Sequence, residues 1–162
     1  MLTLTFQFGD EFRGIPYSEI EEVVALVDLT AVGAAPPAVV GAFNYHGIWV
    51  PVVDLSELAV RRPAARRWST RILILRPDFT GRFLGLIAES ATEMITRADD
   101  SAKGDSPKAL QIADLLDAEQ KDWLRSFEAP SPTDAQPARN RRRPRHYSQL
   151  SHSAASPRSN QA

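Results

Sequence analysis

The sequence predicts an all-β fold of barrel type. Three observations carry the prediction. Apolar residues alternate with period two in several short runs, turn-forming residues separate those runs at roughly even intervals, and helical periodicity is confined to short stretches. At 162 residues the chain has room for one domain built of two small subdomains.

The first run sets Leu2, Leu4, Phe6 and Phe8 on one side and Thr3, Thr5 and Gln7 on the other, the pattern of a half-buried strand. Gly9-Asp10-Glu11 is turn chemistry and FRGIPY is again extended, so residues 2–17 read as a hairpin whose second strand ends near Pro16. Ser18 with Glu21 has capping-box spacing and predicts a helical turn at 18–22. The β-branched run VVALVDLTAV predicts a strand at 23–32, and Ala34-Ala35-Pro36-Pro37 breaks it. PAVVGAFNY then reads as a turn leading into a strand, and IWVPVVDL at 48–55 as a strand buried on both faces.

SELAVRRPAARRW, with Arg61, Arg62, Arg66 and Arg67 around Pro63, predicts a short helical turn followed by an exposed loop. TRILILRP is a strand, DFTG a tight turn, and RFLGLIAESATEMI its hairpin partner. RADDSAKGDSPK has loop composition. Leu115, Leu116, Trp123, Leu124 and Phe127 suit a closing helix from about Asp117.

Charge divides the chain in two. Residues 1–128 hold 19 acidic against 13 basic side chains, whereas residues 129–162 hold one acid, Asp134, against six arginines. The second segment also has five prolines and almost no large aliphatic residue, so it is expected to be a disordered basic tail. There is no cysteine, which excludes disulfides, thiolate zinc sites and cysteine nucleophiles. No signal-peptide pattern opens the chain, and no apolar run approaches the ~18 residues of a membrane span. A cytoplasmic location without membrane insertion is expected.

The stretch GAFNYHGIWVPVVDLSEL poses the functional question. His46 is the sole histidine before the tail, so any imidazole base must be this one. Asp54 lies eight residues on, across an extended run with no turn, so the two cannot meet within one strand. No nucleophile elbow, phosphate loop or metal-ligand spacing is present, and Asp54 reads as the cap of the turn that follows. No catalytic residue, metal or cofactor is expected. Tyr45 and Trp49 read as ordinary core, where aromatics at strand ends usually sit, or, with His46 between glycine-flanked strands, as an exposed tip that anchors a partner.

These residues resemble a known family, the CheW-like coupling proteins of bacterial chemosensory arrays. FQFGDEFRGIPYSEIEEVV is similar to the family's opening hairpin and Val-x-Glu turn. GAFNYHGIWVPVVDLSEL resembles its Gly-Val-x-Asn-Leu-Arg-Gly-x-x-x-Pro-Val-x-Asp-Leu motif, and TRILIL with GRFLGLIAESATEM its later strand pair. The resemblance covers about residues 2–96 and implies two small SH3-like β-barrel subdomains side by side, in a domain spanning 1–128 that closes on a short C-terminal helix. It also implies a non-enzymatic adaptor joining a chemoreceptor cytoplasmic hairpin to the regulatory domain of a CheA-type histidine kinase.

By position in the motif, Ile20, Glu22, His46 and Trp49 are the expected receptor contacts. Gly41, Asn44, Gly47, Pro51 and Asp54 form the motif's frame. Phe83, Leu84, Glu89 and Glu93 are expected on the kinase side. The sequence departs from the family in three places: His46 stands where an arginine is usual, Glu89-Ser90 where Val-Asp is usual, and the region after Arg97 is short, which leaves the second subdomain wanting strands. Two rival functions follow from the same residues. One is a degenerate adaptor that binds kinase alone; the other is a β-barrel nucleic-acid binder using the arginine tail, although nucleic acid is the less expected partner.

Overall fold

The computed structural model describes residues 1–96 and 107–131. Eight strands run β1 (Leu2–Phe8), β2 (Glu11–Pro16), β3 (Ile20–Ala25), β4 (Val39–Tyr45), β5 (Ile48–Asp54), β6 (Arg71–Leu75), β7 (Leu84–Thr96) and β8 (Lys108–Ala109). Three short helices accompany them: α1 (Leu55–Val60), α2 (Ile112–Leu115) and α3 (Ala118–Ser126). The fold is mainly β, as the alternation predicts.

Five of the strands make a barrel. β3, β6 and β7 pair antiparallel in that order, β7 pairs β5 in parallel, and β5 pairs β4 antiparallel. Closure comes just beyond β3, where Thr30 and Ala42 exchange both backbone hydrogen bonds, at 2.7 and 2.9 Å. Gly41 makes that approach possible: a Cβ there would stand 2.7 Å from the Thr30 carbonyl oxygen and 2.9 Å from Leu29 Cβ. The Ala42 backbone groups are both used on Thr30, so its β5 partner Pro51 has no bond to β4 to lose, and a proline fits inside the strand.

β6, the barrel part of β7 and most of β5 are buried on both faces. Leu29, Phe43, Val50, Val52, Ile72, Ile74 and Ile87 pack together on one side. Their neighbours Val53, Leu73, Leu75, Leu84 and Leu86 join the larger cluster with Leu4, Phe6, Ile15 and Leu124. The uninterrupted run ILIL is therefore a strand with no solvent face. Gly85 is placed where Val52 and Ile72 methyls lie 3.0 and 3.3 Å from a hypothetical Cβ, so these layers meet without a gap.

A second sheet is built on the far half of β7. Glu89–Thr96 pairs with β1, β1 with β2, and β2 with the two residues of β8. Ser90 adopts φ 52 where β7 leaves the barrel, and the β1 register shifts beside it. This sheet of β7, β1, β2 and β8 does not close on itself among the described residues. Helices α2 and α3 cover part of it through Ile112, Leu116 and Leu124. α3 is started by a capping box between Asp117 and Gln120, at the predicted position.

Three expectations are corrected. The turn after Pro16 is a single 3-10 turn, Tyr17–Glu19, without a side-chain cap, because Ile20 is already drawn into the larger core cluster with Leu4 and Phe6. The strand expected at 23–32 is shifted and shorter, and ends at Ala25 before the chain returns to Thr30. Leu115 and Leu116 belong to the separate turn α2 and its end rather than to the closing helix. The tail expected to be disordered lies almost wholly outside the described residues.

Candidate partner-binding surface

The β4–β5 hairpin ends in a two-residue loop, His46-Gly47, between the paired Tyr45 and Ile48. Both loop residues have positive φ, 50 and 86, as a type I′ turn demands. Glycine adopts this freely; His46 does so at a cost, and the Asn44 side chain stabilises the turn by accepting from Gly47 N at 2.8 Å. The imidazole is thrust outward, with 79% of its side-chain surface exposed.

Tyr45 ties this tip to β3. Its hydroxyl donates to Glu22 Oε2 at 2.6 Å, while His46 Nε2 stands 4.0 Å from the same oxygen. Tyr45 also meets the rings of Phe43, His46 and Phe83 edge-on, with centroids 6.4, 4.5 and 6.0 Å apart. The hydrogen bond to Glu22, with lesser help from burial and the Glu22 and Glu21 charges, pushes the phenol up to about 12.

Beside Glu22 opens a groove of about 440 Å³ between the barrel and the second sheet. Leu4, Ala91 and Met94 line it from the sheet, and Tyr17, Glu22 and Val23 from the barrel side. Leu4 and Met94 are register partners on one face, yet Leu4 is buried and Met94 is 54% exposed. The apolar face of the second sheet thus runs out from under its cover into the groove.

Two carboxylates stand apart from this surface. Asp54 caps α1 by accepting from Ser56 N and Glu57 N, and its second oxygen accepts from Ala64 N at 2.8 Å. Glu89 accepts from the Ser56 hydroxyl at 2.8 Å and Ala65 N at 3.0 Å. Burial raises the Asp54 pKa against those bonds. At Glu89 burial also raises it, but the Ala65 and Ser56 bonds with Arg62 and Arg67 outweigh this and hold the carboxyl below its ordinary value. Together they pin the arginine-rich loop after α1.

The predicted site residues divide accordingly. Glu22 and His46 meet at the hairpin tip, the half-buried Trp49 lies on β5 opposite Asn44, on the other face of the hairpin from Tyr45, and Glu93 is exposed on β7. Ile20, Leu84 and Glu89 are 1%, 3% and 7% exposed, so the expectation that they present contact surfaces is corrected: the first two fill the core and the third anchors a loop. Phe83 is partly buried against Tyr45. Tyr45 was read as part of the tip, but its link to Glu22 was not foreseen, and Tyr17 and Met94 in the groove were not singled out, because these roles depend on strands far apart in sequence. His46 sits at the hairpin tip and Asp54 at the other end of β5, roughly 20 Å away along the strand, which removes the catalytic pairing.

A profile of the CheW-like domain matches residues 2–116, most of the chain and all but one of its regular elements. The chain belongs to the CheW-like domain family. Its CheW-like sequence is 23% identical over 93 residues to the chemotaxis protein CheW of Klebsiella aerogenes, covering 57% of this chain and 55% of that protein. It is 22% identical over 97 residues to a probable chemotaxis protein CheW of Rhizobium etli, covering 60% and 61%. The crystal structure of the scaffolding protein TtCheW from Thermoanaerobacter tengcongensis superposes with a TM-score of 0.54 at 26% identity, over 60% of this chain and 62% of that one. In each case the chain spans less than two thirds of the relative's length. The CheW fold implies the SH3-like subdomains expected from the motif. No helix among the described residues is long and apolar enough to cross a membrane.

Proposed function

We propose that this protein is a cytoplasmic adaptor that couples a chemoreceptor's cytoplasmic hairpin to the regulatory domain of a CheA-type histidine kinase. The observation that carries the reading is the conjunction of the CheW-like fold with a shaped, uncovered surface: the groove beside Glu22 and the His46 tip next to it. An apolar floor with acidic and aromatic rims suits an amphipathic helical hairpin, which offers apolar anchors at helical spacing and polar flanks. Glu22, His46 and Trp49 are the receptor-side residues in this reading; Ile20 acts only by supporting β3 from inside. Glu93, exposed on β7, and the partly buried Phe83 are the candidates for the kinase side.

A pull-down with two baits, the cognate kinase regulatory domain and a receptor cytoplasmic hairpin, tests it with wild type and His46→Ala. Binding to both baits, with receptor binding alone weakened by the substitution, is the expected result. Binding of the folded protein to neither bait overturns the reading.

A further inference from the structure

Trp68 is 81% exposed, the most exposed of the large hydrophobic side chains among the described residues. It stands at the corner of a β-turn that Thr70 N closes by donating to the Arg67 carbonyl at 3.0 Å. The turn is braced: the Thr70 hydroxyl donates to the Ala65 carbonyl at 2.6 Å, and Arg71 donates to the Trp68 carbonyl. No aromatic ring among the described residues stacks on the indole. An ordered backbone thus holds a large apolar ring out in water, which lowers the entropy lost when a partner covers it.

Four exposed arginines, Arg61, Arg62, Arg66 and Arg67, precede Trp68 on the same loop. They cluster in space as well as in sequence. Asp54 and Glu89 draw the middle of the loop down onto β5 and β7 through Ala64 N and Ala65 N, and the Arg62 and Arg67 charges both reach Glu89. The two acids beneath are turned inward, 3% and 7% exposed and bonded to the loop's own amides. Among the described residues one acid forms an ion pair with the loop, Asp28 with Arg66 at 3.2 Å, and 85% of the Asp28 side chain is exposed. A pair so open to water contributes little and parts readily. The outward face of the loop is therefore cationic, with an apolar point at its corner.

Single-stranded nucleic acid is gripped by successive rings along a groove, whereas this loop offers one ring at a corner. A lipid surface asks for less shape: an aromatic that sits at headgroup level, and cations beside it that meet lipid phosphates. Residues 61–68 supply both. We infer that this loop docks the protein on an anionic lipid surface, with Trp68 entering the headgroup layer and the arginines pairing with lipid phosphates. Beyond the described residues the sequence holds a second set of the same kind, five arginines between 139 and 145 followed by Tyr147. Two weak surface contacts on one chain reinforce each other.

Co-sedimentation of the full chain with vesicles of phosphatidylglycerol and phosphatidylcholine, and with phosphatidylcholine vesicles alone, tests this. Lipids brominated near the headgroup quench an indole that reaches them. Wild type binds the anionic vesicles, binds the neutral ones far less, and is released by added salt. Bromolipid quenching is present in wild type and lost in Trp68→Phe. Arg61→Gln with Arg66→Gln, both at exposed positions and neither set against Glu89, weakens vesicle binding roughly 25-fold, at about fivefold for each arginine. Wild type that ignores anionic vesicles, or quenching that survives Trp68→Phe, overturns the inference. So does an arginine variant that binds like wild type, which would assign attachment to residues 129–162. Tighter binding to a poly(dT) strand than to vesicles overturns it in favour of nucleic acid. None of these outcomes depends on receptor or kinase binding.

Discussion

The Tyr45 hydroxyl and the Glu22 carboxylate meet at 2.6 Å across 23 residues of sequence, fastening the β4–β5 hairpin tip to β3. The tip would otherwise be a free two-residue loop on a long hairpin. The contact sets where His46 points, and it makes the tip and the wall of the groove one surface.

The phenol of Tyr45 should reveal this bond directly. With its pKa pushed up to about 12, Tyr45 ionises after an ordinary tyrosine does. The neutral phenol is the form that donates, so the bond's contribution is whole below the unfolded pKa near 10 and is lost as pH rises through the folded value. Ultraviolet titration should show a late tyrosinate step in wild type. Glu22→Gln should move that step back toward the ordinary value; an unchanged step would show that the bond does not form in solution.

His46 is strained by its positive φ, and asparagine is better suited to the first position of such a turn. His46→Asn should stabilise the fold by about 0.5 kcal/mol, read from urea denaturation, while weakening receptor binding. His46→Arg should instead tighten receptor binding, since it supplies a permanent forked cation beside Glu22. Isothermal titration with a receptor hairpin separates these outcomes.

Gly41 should tolerate no side chain. An alanine Cβ would be driven against the Thr30 carbonyl and Leu29, backbone that cannot swing aside without opening the barrel. Gly41→Ala should cost about 2–3 kcal/mol in chemical denaturation. Gly47→Ala meets no neighbour within 4 Å and should lose only the smaller amount due to its φ of 86.

Glu89 ties stability to acid. Its pKa is depressed in the folded state, so its contribution is present above the ordinary carboxylate value and is lost as pH falls through the folded one. Glu89→Gln should remove most of that slope in denaturation midpoints measured below neutral pH. Asp54→Ala should be the more damaging change at neutral pH, by about 2–4 kcal/mol, as it leaves the amides of Ser56, Glu57 and Ala64 without an acceptor.

What could be seen in the sequence was whatever local chemistry dictates. Leu4 and Phe6 fall on the face that packs into the core, although Thr3 and Thr5 opposite them are covered too, so β1 is not the half-buried strand its alternation predicts; Asp117 and Gln120 start α3 through a three-residue spacing, and Asp54 caps α1 through a two-residue one. The motif frame was legible for the same reason: Asn44 and Gly47 interact across three residues. Errors arose where distant strands decide. Ile20 falls on a motif position but is swallowed by the core shared with Leu4 and Phe6, and Glu89, which looks like a surface acid, is claimed by the Ser56 hydroxyl and the Ala65 amide. Val27 and Thr30 continue a run rich in β-branched residues, yet the strand ends at Ala25 because the chain must travel across to Ala42 to close the barrel.

Strand β7 belongs to both sheets: its first five residues are a stave of the barrel, and the remainder carries β1. Neither half can therefore melt without tearing a wall from the other. The two units should unfold in one transition, and the amides of Leu84–Ala88 should exchange with solvent only when the whole chain opens. A lineage that inherits this arrangement cannot trade one half for a foreign module or loosen one half alone, because the kink at Ser90 is a seam with no place to cut.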